Sequence, residues 1–251
     1  MQLTVGDLLP LAQKQISAAE AASAIYLDFE GRITEPPVLL GVTYAMRGRL
    51  DPDKTVLMHY LLDPAFEPLK STCNFTTMFR YETRTETFAQ TLHEVIRLAR
   101  SRDRLIVSWN QYEMQKVLEH GIDDTLGGEF ALRYRDGEAT AKQWQRAHHA
   151  DVQFEPARSG QLHTLANYMT LIDHQIPDPK YGVDRTGMTL KFIREALGRR
   201  SSWDHMTERR QSGWVEVLGH NAHECLGLRA VVTRAATELE SADDVSDARP
   251  L

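Results

Sequence analysis

The chain has 251 residues, 42% of them hydrophobic and 25% charged, which suits a globular protein with one large domain or two small ones. A formal net charge of −6 and a pI near 5.9 exclude a globally basic nucleic-acid binder, though not an enzyme with a local basic groove. The two cysteines, Cys73 and Cys225, are too far apart for metal-ligand spacing and fit a reduced, cytoplasmic protein rather than a disulfide scaffold.

The N-terminus shows no basic region leading into an apolar stretch, so no secretory signal is expected. No apolar run approaches the roughly 20 residues of a membrane span, so no membrane partner is expected. Residues 4–22, with Leu8, Leu9, Leu11, Ile16 and several alanines, predict an N-terminal helical lead-in occupying 1–23. From 24 to 30 apolar Ile25, Leu27 and Phe29 alternate with Tyr26, Asp28 and Glu30, the period of a strand. Gly31-Arg32 and Pro36-Pro37 mark a turn, 38–44 a buried second strand, Asp51-Pro52-Asp53 another turn and 55–62 a third strand. Three strands joined by short turns predict an antiparallel meander.

Phe88, Leu92, Val95, Ile96 and Ala99 recur at helical spacing, predicting an amphipathic helix over 85–100. Residues 105–109 form a short buried strand, Asn110 caps a helix over 111–120, and Gly121 ends it. Helices are expected over 139–149, 162–172 and 189–197, the last stopped at Gly198, with a rigid loop at Ile176-Pro177-Asp178-Pro179. Gly213 or Gly219 precedes a final long helix over about 214–238. No repeat or linker divides 24–238, which reads as one domain. After Glu238 come Glu240, Asp243, Asp244 and Asp247, and 239–251 reads as a flexible acidic tail.

Three acidic motifs carry the chemistry. In a strand, residues two apart share a face, so Asp28 and Glu30 project side by side. Like charges that close repel and raise a pKa, unless a hard cation such as Mg²⁺ sits between them; the bland alternative is a carboxylate facing solvent at the strand end. The second motif is Ser108-Trp109-Asn110-Gln111-Tyr112-Glu113, at a strand-to-helix junction where open sheets bind ligands. A glutamate at a helix start is also what the macrodipole favours. The third is His220-Asn221-Ala222-His223-Glu224-Cys225, where His220 and Glu224 share one helical face, as an ordinary surface pair also would.

In this order the motifs resemble the DEDD superfamily of 3′–5′ exonucleases, in particular its predicted ribonuclease H-like branch with Tyr-Asn-x-x-Asp-Cys at the third motif. The resemblance covers about residues 24–236 and includes Leu190-Lys191-Phe192-Ile193 before Leu197-Gly198. It differs at Glu113 and Glu224, where the family more usually has Asp, and at His220, which stands at the Tyr position. The fold it implies is α/β and RNase H-like: a mixed central sheet, its first three strands antiparallel and the later ones parallel, flanked by helices.

The same resemblance implies hydrolysis of phosphodiester bonds at single-stranded DNA or RNA 3′ ends by two divalent ions, Mg²⁺ or Mn²⁺. Such ions activate water, neutralise charge at phosphorus and stabilise the leaving oxygen. Asp28 would bridge both ions, Glu30 and Glu224 would complete the nucleophile-side ion, and Glu113 would serve the second. His220 would orient or deprotonate the attacking water, with His223 as its substitute. Asn110, Tyr112 and Lys191 are candidate substrate contacts, against the plainer roles of helix cap, core packing and solvated surface. Arg199, Arg200, Arg209 and Arg210 form the densest basic stretch and could line a strand path. A catalytically weakened nucleic-acid-binding or assembly module, and an unrelated α/β metal-dependent hydrolase, are the alternative readings.

Overall fold

The computed structural model describes residue 10 and residues 12–32, 34–46, 55–72, 80–120, 124–157, 160–174, 186–200 and 202–247. The expected turn at 51–53, the stop at Gly121, the loop at 176–179 and most of the lead-in before residue 12 lie outside these.

The described chain begins with helix α1, Ala18–Ser23, closed by a capping box between Ser17 and Glu20. Strands β1 (Ile25–Glu30), β2 (Leu39–Ala45) and β3 (Thr55–Leu61) follow, each built from the alternating or continuous apolar runs that suit strands. A 3-10 helix, Pro64–Thr72, leads towards β4 (Arg80–Thr85), neither of which the apolar periodicity foretold. Helix α2 (Phe88–Ser101) starts at a Thr87–Gln90 capping box and buries Leu92, Val95, Ile96 and Ala99. Next come β5 (Ile106–Ser108), α3 (Tyr112–His120), α4 (Asp124–Arg133), β6 (Tyr134–Asp136) and α5 (Gly137–His148). Helix α6 spans Leu165–Leu171, α7 Thr186–Arg200 and α8 Glu208–Asp247, with a 3-10 turn at Trp203–His205 before α8.

The sheet is mixed, in the order β4-β3-β2-β1-β5-β6. The expected antiparallel meander is present: β1 pairs antiparallel with β2, and β2 with β3. The other pairs, β1–β5, β5–β6 and β3–β4, are parallel. The fold is therefore α/β, a mixed sheet flanked by helices.

Two helix boundaries correct the sequence expectation. Gly198 does not end α7, and Gly213 and Gly219 lie inside α8, which begins at Glu208. A Cβ on Gly213 would stand 3.0 Å from Thr189 Cγ2, so close packing of α7 on α8 outweighs glycine's low helix propensity there. The acidic stretch expected as a tail from 239 continues α8 as far as Asp247.

The sheet's two faces bury different things. Ile25, Leu27 and Phe29 point into one apolar cluster with Leu92, Val95 and Ile96 of α2 and Met114 and Val117 of α3. Tyr26, Asp28 and Glu30 point to the other side, where α8 crosses β1 and β2. That side holds two separate apolar clusters. One joins Tyr26 and Val107 to Leu228, Val231 and Val232 of α8. The other joins Leu39 and Leu61 to Trp214, Val217 and Leu218 of α8. Asp28 and Glu30 lie where the helix passes from one cluster to the next.

Candidate metal centre

Side chains from three elements meet at that break. Strand β1 supplies Asp28, which keeps some exposure, and Glu30, which is 7% exposed. The start of α3, just past the end of β5, supplies Glu113, 5% exposed. Helix α8 supplies His220 and Glu224, one turn apart on the same face.

His220 Nε2 lies 3.6 Å from Glu30 Oε1 and 3.4 Å from Glu224 Oε1. Glu30, His220 and Glu224 each offer a ligand atom, and these atoms lie within 4.8 Å of one another. Two carboxylates and an imidazole are a donor set that suits a divalent ion such as Mn²⁺. Glu30 Oε1 and Glu113 Oε2 are buried with no hydrogen-bond donor among the described residues, as ligand atoms awaiting a cation would be.

The electrostatics tie Asp28 and Glu113 to this group. Burial, then the charges of Glu224, Glu30 and Glu113, push the Asp28 carboxyl well above the ordinary carboxylate range. Burial and the charges of Glu224 and Glu113 do the same to Glu30, partly opposed by a hydrogen bond from Thr186. Glu113 is pushed up to about 8, by burial first; hydrogen bonds from its own backbone N–H and from Ser108 pull the other way, while Glu224 and Asp136 add repulsion. Asp28, Glu30 and Glu113, each raised by burial and by its neighbours' charges, cannot all ionise without a compensating charge, whether protons or a cation.

Comparison of the chain with models of protein families, with curated proteins and with solved structures finds no match. The site is therefore read from its own geometry.

Of the residues singled out from sequence, Glu30, His220 and Glu224 come within ligand distance of one another, and Asp28 and Glu113 are linked to them through their charges. His223 turns away: it is 8% exposed and stacks on His174 with ring centroids 5.4 Å apart, and burial, then His174 and His220, lower its pKa to about 4. Asn110 caps α3, its Oδ1 accepting from Tyr112 N at 2.8 Å. Tyr112 packs at the edge of the first apolar cluster, with Lys116 Nζ 5.5 Å from its ring centroid. Burial, then the charges of Glu113, Glu30 and Asp28, push its phenol up to about 12, which sets it beside the carboxylates. Lys191 points to solvent from α7, 4.0 Å from Glu195. Arg199 and Arg209 are exposed, and the Arg210 guanidinium lies 4.6 Å from the Phe192 ring centroid.

Two neighbours went unassigned from sequence. Asp136, 5% exposed at the end of β6, caps α5 by accepting from Ala139 N at 3.2 Å, and burial raises it to about 6. Its sequence signal is the N-cap pattern of an acid before a helix, which says nothing of Glu113 nearby. Asn221, 0% exposed, donates from Nδ2 to Asp28 Oδ2 at 2.6 Å. It stands inside the third motif, but its role appears only when register sets Gly41 opposite Asp28.

No helix among the described residues is long and apolar enough to cross a membrane.

Proposed function

We propose that the chain is a divalent-metal-dependent 3′–5′ exonuclease that hydrolyses phosphodiester bonds at single-stranded DNA or RNA ends. The observation that carries this is the grouping of Asp28, Glu30, Glu113 and Glu224, drawn from β1, α3 and α8, as mutually repelling carboxyls, Glu30 and Glu113 of them buried, with His220 between Glu30 and Glu224. Their order along the chain is that of the exonuclease motifs they resemble. An antiparallel β1-β2-β3 unit with two further strands parallel to β1 is also the connectivity of an RNase H-like sheet, here extended by β4.

In this reading Asp28, Glu30 and Glu224 would hold one divalent ion, and Glu113, with Asp28, would serve a second. Ions held there would supply Lewis acidity for a water and charge neutralisation at the scissile phosphate. His220 Nε2, between Glu30 and Glu224, would in this reading orient that water and accept its proton in place of ligating an ion. The new bond joins water oxygen to phosphorus, the bond from phosphorus to the 3′ oxygen breaks, and a nucleoside 5′-monophosphate leaves a strand one residue shorter. Burial strengthens each of these electrostatic contacts over its value in water.

The test is hydrolysis of 5′-labelled single strands with Mn²⁺ or Mg²⁺. A ladder shortening from the 3′ end is expected, stopped by chelation and by Asp28→Ala or Glu224→Ala in folded protein. Hydrolysis unchanged by Asp28→Ala would reject the site. Metal-independent strand binding without cleavage would reassign the chain as a binding module.

A further inference from the structure

Strand register places Asp28 opposite Gly41, Gly41 opposite His59 and His59 opposite Thr83. Directly opposed residues share a face, so these four form one row across β1, β2, β3 and β4 on the side covered by α8. Gly41 leaves a gap in that row, and a Cβ there would collide with Asn221 Oδ1 and Cys225 Sγ. The Asn221 side chain fills the gap from α8. Its Nδ2 donates to Asp28 Oδ2 at 2.6 Å and to the Asp28 main-chain oxygen at 3.0 Å. On its other side the Asn221 carbonyl oxygen neighbours His59, which is 0% exposed, without reaching normal hydrogen-bond geometry. His59 Nδ1 is 2.8 Å from the Tyr81 hydroxyl, which receives a further hydrogen bond from Thr83 Oγ1 at 2.9 Å.

The direction of donation along this row turns on the His59 tautomer. Thr83 donates to Tyr81, so the Tyr81 proton is directed to His59 Nδ1. Burial keeps His59 neutral, and in the tautomer whose Nδ1 accepts from Tyr81 its one ring proton sits on Nε2, on the Asn221 side. With its oxygen on the His59 side, the Asn221 amide presents its NH₂ to Asp28.

We propose that Asn221, oriented by His59 and Tyr81 through the gap at Gly41, is a positioning residue that fixes the Asp28 carboxylate for a divalent cation. The inference rests on the metal reading of the site but not on the nuclease reaction. Holding Oδ2 by an N–H favours the ionised carboxylate, sets its rotamer and leaves Oδ1 for the cation. Hydrogen-bond partners behind metal ligands commonly govern affinity in this way.

The test uses the full chain without nucleic acid. Mn²⁺ affinity is measured by titration calorimetry for the wild type, Asn221→Ala and Tyr81→Phe, and the His59 tautomer is read by ¹⁵N NMR. The expected results are an Nε2–H tautomer in the wild type, Mn²⁺ binding weakened about tenfold or more by Asn221→Ala, and a smaller loss in Tyr81→Phe with a mixed His59 tautomer. If Asn221→Ala does not fold, Tyr81→Phe, which removes one hydroxyl, decides the question. Wild-type affinity in a folded Asn221→Ala, an Nδ1–H tautomer, or a wild type that binds no Mn²⁺ would each overturn the inference. Mn²⁺ binding that depends on Asn221 in a chain that cuts no strand supports it and rejects the nuclease reading alone. Cleavage with a kcat unchanged by Asn221→Ala rejects this inference alone.

Discussion

Strand β1 presents two faces that follow different rules. On one, Ile25, Leu27 and Phe29 are 0%, 0% and 5% exposed and meet only apolar neighbours, so burial and packing explain every side chain. On the other, Tyr26 joins an apolar cluster, while Asp28 and Glu30 face a histidine and two further carboxyls under α8. Apolar residues of the same size would be more stable at those two positions, because desolvating a carboxylate is costly and its neighbours here repel it. Folding accounts for the first face. The second makes sense as a site whose stability is completed by something bound.

The sharpest way to test that contrast is to disturb each face in turn. Leu27→Ala should cost about 2–5 kcal/mol in urea denaturation, from lost burial and the cavity left behind. A loss well under that range would mean the apolar face collapses around the gap and packs less tightly than its burial indicates. On the polar face, Mn²⁺ at a hundred times its Kd should add about 2.7 kcal/mol, seen as a higher melting temperature, and Glu30→Gln should remove most of that gain. A melting temperature indifferent to Mn²⁺ would leave the buried carboxyls unexplained.

The pH dependence should separate the faces further. In the folded protein Glu113 titrates at about 8 instead of the ordinary 4.5, so above 4.5 the native state keeps a proton that the unfolded chain has lost. Its stabilising contribution is therefore complete below about pH 4.5 and is lost as pH rises towards 8. Melting in the presence of a chelator should show stability declining between about pH 5 and 8, and Glu113→Gln should flatten that slope. The gain from Mn²⁺ should grow over the same window, because the cation displaces the retained protons. A chelated protein equally stable at pH 5 and pH 8 would contradict the repulsion on which the site is argued.

Sequence legibility divides along the same line. The apolar face of β1 and the helix beneath it were readable because their periods, 2 and 3.6, are written directly in Ile25-x-Leu27-x-Phe29 and in Leu92, Val95, Ile96 and Ala99. Strand β4 was not, because Arg80–Thr85 reads Arg-Tyr-Glu-Thr-Arg-Thr, an edge strand with almost no apolar signal. Strand β6 has three residues, too few for any period to appear. The carboxylates were found because acid at fixed places in successive elements is a chemical pattern. Asn221 and Gly41 were not, since a neutral amide filling the gap opposite a glycine leaves no trace until strand register brings them together.

Smaller effects should come from residues that border the site without joining the cluster. Asn110→Ala removes the acceptor for Tyr112 N at the start of α3 and should cost about 1 kcal/mol, with the change confined to α3 in hydrogen exchange. A loss of cleavage out of proportion to that destabilisation would move Asn110 from cap to substrate contact. Lys191→Ala should have the smallest effect of all. Its partner Glu195 is 4.0 Å away, and the two side chains are 46% and 47% exposed, so solvent and salt screen the pair and its loss should change stability by no more than about 0.5 kcal/mol. Cleavage measured across a salt series isolates any other role. A phosphate contact by Lys191 would lower the affinity for strand and reduce its salt dependence by about one charge, whereas a solvated pair on α7 would leave both unchanged.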